Sequence, residues 1–233
     1  MSTSVIDENT IIKDYFREDA KKKHDFYTQK DEEYLKTLLK KRRMWDTYKT
    51  VLTTICSDKG YRSAVDVGCG MGNLLFELHK RKCFTTLVGI DVLKETFSIA
   101  LLRPDLFDTV SFFQGDVFHL CFKEKSFDVV FCLNLLHHIR KQNISKAISE
   151  LTRICKKTVI IEIRNKDFMF DFLYTTLVLP LYYNRLPVYS VKTSWIEKLL
   201  EKQGFSIEHI LGRKSTYRFN RRIILVCKRM EGV

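Results

Sequence analysis

The spacing of apolar positions changes character near residue 60 of this 233-residue chain. Before it, Tyr34, Leu35, Leu38, Leu39, Met44, Trp45, Tyr48, Val51, Leu52 and Ile55 recur near helical spacing, which predicts two charged helices ahead of any sheet. After it, short apolar runs appear at 64–67, 86–90, 109–113, 127–132 and 157–163, separated by helical segments. That alternation predicts βαβ units. Two further runs, 205–211 and 222–228, follow one another without a long helix between them, so they are expected to form an antiparallel hairpin at one sheet edge, joined by a basic loop. The fold class is α/β: a doubly wound, mostly parallel seven-stranded sheet with an antiparallel C-terminal strand and helices on both faces. One domain suffices, divided into a helical segment (1–60), a core (61–163), an insertion (164–193), and a helix with the hairpin (194–233).

The insertion breaks the alternation. Residues 165–190, "NKDFMFDFLYTTLVLPLYYNRLPVYS", are long, apolar and aromatic, as expected of a cap over a binding site. No run reaches the ~20 apolar residues that cross a bilayer. The polar, acid-containing start does not read as a secretory signal. Seven dispersed cysteines without a C-x-x-C pair predict reduced thiols, a cytoplasmic location and no metal site.

Charge is uneven. Of the net +12, residues 164–233 supply +7, with 13 Lys and Arg against 6 acids, and Arg213–Arg229 holds seven cations and no acid. This admits an anionic partner, such as a phosphorylated molecule, RNA or an acidic membrane surface, or is simply a solvated edge. Arg213, Lys214, Arg218, Arg221 and Arg222 are candidates for phosphate capture.

The strongest chemical signal is "AVDVGCGMGNLL" at 64–75. Gly68, Gly70 and Gly72 directly follow the first strand, where small residues allow a sharp turn and a close ligand approach. A dinucleotide fingerprint would need glycine at 73, which is Asn73, and the G-K-S/T of a P-loop is absent. Asp66 is unwelcome beside a pyrophosphate but suits a ligand bearing an ammonium group. "VDVGCGMG" resembles the first motif of the class I S-adenosylmethionine-dependent methyltransferases, small-molecule branch, and three further features follow in that family's order. Asp91 ends "LVGID", 23 residues after Gly68; "FQGDVFHL" holds Gly115 and Asp116; "SFDVVFCLNLLHHI" holds Asn134 and Leu135.

The resemblance implies a Rossmann-like sheet binding S-adenosyl-L-methionine and releasing S-adenosyl-L-homocysteine. The methionine end would lie on Asp66, Gly68, Cys69, Gly70 and Gly72. The ribose would lie on Asp91 and Val92, the adenine on Gly115, Asp116 and Val117, and the sulfonium over Asn134 and Leu135. His137 and His138 are candidates for a general base, or for buried packing roles. Tyr174, Tyr182, Tyr183 and Tyr189 are the candidate acceptor contacts. A small-molecule acceptor, aromatic, lipid-like or phosphorylated, comes first, with RNA such as tRNA on the basic C-terminal edge, a protein side chain, or a non-catalytic partner role as alternatives. Peripheral membrane contact stays open, as does the oligomeric state.

Overall fold

The computed structural model describes residues 8–27, 45–58, 60–101, 109–170, 173, 187–212 and 217–232. Seven strands form one sheet: β1 (Ser63–Val67), β2 (Thr86–Asp91), β3 (Val110–Gln114), β4 (Phe127–Cys132), β5 (Cys155–Arg164), β6 (Phe205–Leu211) and β7 (Arg222–Arg229). Their order is β3-β2-β1-β4-β5-β7-β6. The first five are mutually parallel, while β7 runs antiparallel to both β5 and β6. The predicted strands and hairpin are all present. β7 lies inside the hairpin against β5, leaving β6 at the edge.

The helices are α1 (Glu8–Tyr27), α2 (Trp45–Ser57), α3 (Asn73–Arg81), α4 (Lys94–Ala100), α5 (Lys141–Ile154) and α6 (Thr193–Glu201). Because side chains alternate along a strand, the central strands feed two cores. Val65, Val67, Val130, Ile161 and Leu225 pack under α5 and α6 through Ile144, Ile148, Leu151, Ile196 and Leu200. Ala64, Val129, Phe131, Ile160 and Ile224 pack on the other face under Val51, Leu52 and Ile55 of α2 and Leu75 and Leu78 of α3. β4 is buried at all six positions, which explains its unbroken apolar run.

Close approach of α3 to β2 depends on Gly89. A Cβ there would sit 2.7 Å from Leu75 Cδ1 and 2.7 Å from Phe112 Cδ1. Gly89→Ala is therefore expected to lower the unfolding free energy by about 1–3 kcal/mol, read from the urea midpoint at constant m-value.

One expectation is corrected. Cys56, at the end of α2, and Cys83, beyond α3, form a disulfide with their Cα atoms 5.1 Å apart. The expectation of seven reduced thiols rested on wide spacing along the chain, which conceals that packing of α2 beside α3 brings their C-terminal ends together. The cysteine pattern therefore carries no compartment. Cys69, Cys121, Cys132, Cys155 and Cys227 are free. Among the described residues no cluster of His, Cys, Asp or Glu could hold a metal ion, and no helix is long and apolar enough to cross a membrane.

Candidate active site

Strand order reverses between β1 and β4, and in an open α/β sheet the crevice at that point, outside the C-terminal ends of the strands, is where ligands bind. A cleft of about 310 Å³ lies there.

The loop leaving β1 forms its floor. Gly68 has φ of +80° and sits so close to Leu135 that a Cβ would meet that side chain at 3.0 Å; Gly72, at φ of +70°, caps α3. A residue with a side chain would be strained at both places. The N–H groups of Gly68 and Cys69 donate to the Ile90 carbonyl at 2.7 and 2.9 Å, clamping the loop to β2. The cap residue Gly72 brings no side chain to the start of α3, and the Phe76 N–H donates to its carbonyl at 2.9 Å. Asp66 is buried at the end of β1 and lines the cleft, as do Cys69 and Gly70. Burial, reinforced by the nearby Asp66 and Asp91, pushes the Cys69 thiol far up, so it stays protonated.

Asp91 ends β2. Its carboxylate accepts hydrogen bonds from Gly70 N–H at 2.8 Å and Leu93 N–H at 3.0 Å, joining the glycine loop to the β2 end. Burial raises its pKa, and those hydrogen bonds oppose the rise. Val92 lines the cleft beside it. Gly115 N–H donates to the Asp91 carbonyl at 3.0 Å, which places the third predicted segment alongside. Asp116 is exposed and accepts from Phe118 N–H at 3.0 Å, whereas Val117 is buried in the core. Asp66, the glycine loop, Asp91, Val92, Asn134 and Leu135 thus share one cleft, and Gly115, Asp116 and Val117 lie beside it rather than among its lining residues.

The two histidines separate. His138 lines the cleft; its Nδ1 lies 3.4 Å from the Pro187 carbonyl, and its ring meets Phe16 edge-on at 5.2 Å. A carbonyl only accepts, so Nδ1 carries the hydrogen and Nε2 the lone pair. Burial lowers its pKa to about 4. His137 belongs to a separate small cavity with Tyr189, Arg164 and Ile196, and its Nδ1 finds no hydrogen-bond partner among the described residues. Burial, followed by the charges of neighbouring groups, lowers its pKa strongly. Tyr189 N–H donates to the His137 carbonyl at 2.8 Å, behind the cleft. Tyr174, Tyr182 and Tyr183 lie outside the described residues, as do Arg213 and Lys214.

Two parts of the site escape sequence reading. The first is the roof: Ile12, Lys13, Phe16, Asp19 and Ala20 of α1 lie over the cleft, and Arg17 Nε donates to Glu95 Oε1 of α4 at 2.9 Å. Among the described residues this helix, not the aromatic insertion, covers the cleft. The second is a polar network. Glu162 of β5 is fully buried and accepts from the Tyr48 hydroxyl and from Arg222 Nε. Arg222 Nη2 reaches Asn134 Oδ1 at 2.5 Å, and Asn134 stands at φ of +64°. Arg222, a candidate for phosphate capture in sequence, is thereby turned inward to hold Asn134, while Tyr48 lines the cleft. A charged residue inside the apolar run "VIIEI" was the one available signal, because a buried carboxylate requires a partner.

Residues 64–158 match the family described as "Methyltransferase domain". The chain is 30% identical over 97 residues to the uncharacterized methyltransferase YcgJ of Bacillus subtilis, covering 40% of this chain and 36% of that one. It is 37% identical over 71 residues to the protein-lysine N-methyltransferase EFM4 of Saccharomyces cerevisiae, covering 29% and 31%. The chain thus spans about a third of the length of these curated relatives. The magnesium protoporphyrin IX methyltransferase of Synechocystis, solved with bound SAH, superimposes with a TM-score of 0.64 at 25% identity, over 79% of this chain and 82% of that one.

Proposed function

We propose that this chain, a class I S-adenosylmethionine-dependent methyltransferase by its sheet and by residues 64–158, transfers the methyl group to a small, largely apolar acceptor. The roof carries this reading. With α1 closing over Leu133, Leu135 and the glycine loop, the acceptor must fit between Phe16 and the cleft floor. A folded macromolecule could offer only one protruding group there. The local chemistry suits the cofactor: a cradle that a Cβ at Gly68 would fill, a buried Asp66 for an ammonium group, and Asp91 placed to accept from ribose hydroxyls.

When bound, S-adenosylmethionine supplies an already activated methyl, so the protein's task is alignment and proton removal. Asn134 and Leu135, fixed through Arg222 and Glu162, form the surface under the reacting centre. Asp66 and the glycine loop hold the amino-acid end. His138, neutral at physiological pH with Nε2 unprotonated, takes the acceptor's proton where the acceptor carries one. His137, which lies in the separate small cavity and not among the residues lining the cleft, is assigned a packing role.

Incubation with methyl-labelled S-adenosylmethionine and a fractionated cell extract tests the acceptor class. Label is expected in the organic-extractable small molecules. Label in RNA or protein fractions would replace this reading, and steep salt-dependent tRNA binding would point the same way.

A further inference from the structure

The C-terminal edge of the sheet carries a second feature, two strands along from the cleft. β5 continues past Arg164 into residues 165–170, and β7 is entered from the turn Tyr217–Phe219. The two segments are stitched together. Asn165 N–H donates to the Arg221 carbonyl at 2.9 Å, Asn165 Nδ2 to the Asn220 carbonyl at 3.0 Å, and Met169 N–H to the Arg218 carbonyl at 3.1 Å.

On this platform large apolar side chains are exposed: Met169 is 58% exposed, Phe170 51% and Phe219 43%, and Leu173, three residues further along the chain, is 53% exposed. The Met169–Arg218 backbone hydrogen bond brings Met169 and Phe170 beside the segment that carries Phe219, which makes a local cluster. Lys166 and Arg218 are exposed among them, and Arg221 is partly so. Of the described acids beside the platform, Asp167 accepts from Thr193 N–H at 3.0 Å, and Glu162 is buried under Arg222.

We propose that this platform docks the protein on an anionic lipid bilayer. Met169, Phe170, Leu173 and Phe219 would enter the headgroup boundary, with Lys166, Arg218 and Arg221 against lipid phosphates. Interfacial binding scales with the apolar area inserted plus attraction of cations to anionic headgroups, and this surface offers both. A second copy is a poor occupant, because a two-fold contact would set this basic patch against itself. Nucleic acid would use the cations but not exposed Met169 and Leu173. The cleft lies at the C-terminal ends of the neighbouring parallel strands, so a docked molecule would hold it near lipid-borne acceptors. That last consequence rests on the proposed function, whereas the docking does not.

Co-sedimentation of the full chain with vesicles tests it, using phosphatidylcholine alone or with roughly 30% phosphatidylglycerol, at about 0.1 M salt. Pelleting is expected with the anionic vesicles only, and to be weakened by added salt. The double variant Met169→Glu, Phe170→Glu is expected to reduce partitioning at least about tenfold, and Arg218→Glu to reduce it as well. Both should bind S-adenosylhomocysteine as the wild type does. The proposal fails if the wild type stays in the supernatant, or if the variants pellet equally. It also fails if Phe170→Glu acts instead by dissolving a dimer or abolishing tRNA binding. Pelleting without S-adenosylhomocysteine binding would sink the proposed function and leave the docking intact.

Discussion

Asp91→Ala is expected to weaken S-adenosylhomocysteine binding by about a hundredfold or more, measured by isothermal titration. Its carboxylate has two duties. It accepts the N–H groups of Gly70 and Leu93, which fixes the glycine loop, and under the proposed function it also receives the ribose hydroxyls. Hydrogen bonds to a charged acceptor are worth about 1.5–3 kcal/mol each, so losing the ribose pair accounts for two decades or more. The fold should suffer less, because the carboxylate's raised pKa shows that burial already taxes its charged form. Asp91→Asn, which keeps one acceptor oxygen, should fall between. Undiminished binding to Asp91→Ala would remove Asp91 from the site.

Acid is expected to destabilise the protein well before its carboxylates protonate. His138 has a folded pKa of about 4 against an ordinary value of 6.5. Above 6.5 it is neutral whether folded or unfolded, and its contribution is fully present. As pH falls from 6.5 to about 4, the unfolded chain takes up a proton that the folded chain refuses, so stability is lost across that window. The loss from His138 alone is on the order of 3 kcal/mol, and His137 acts in the same direction. Asp91 works with the opposite sign, since protonating a carboxyl of raised pKa relieves its burial. Asp128 and Glu150, both with depressed pKa values, lose their contribution at lower pH, below the ordinary carboxylate range. Urea midpoints from pH 7 to 4 should therefore drop steeply for the wild type and less so for His138→Gln. A flat profile above pH 5 would mean that the histidines are not buried neutral.

The features legible in the sequence are those whose signal is local. Each strand announces itself by its own apolar run, and the glycine turn, Asp91 and Asn134 each lie next to a strand end, so order along the chain translates into proximity in the cleft. The roof had no such marker. α1 presents Ile12, Phe16 and Ala20 at helical spacing, but among so many charges that it reads as a solvated helix. The aromatic density of the sequence lies at residues 165–190 instead. Tyr48, Glu162 and Arg222 are separated by 114 and 60 residues, and only the sheet brings them together. The histidine pair shows the limit from the other side: "LHH" gives no hint that one ring enters the cleft while its neighbour turns away.

The position of β7 bears on how the molecule is made. It is the last of the seven strands to leave the ribosome, yet it is paired on both sides, to β5 and to β6. A nascent chain that has emerged only to residue 211 has an open β5 edge, and its Glu162 lacks the guanidinium that neutralises it. Such an intermediate offers an unpaired strand to its neighbours on the polysome. Ligand cannot rescue it, because Arg222, which holds Asn134, is still inside the ribosome.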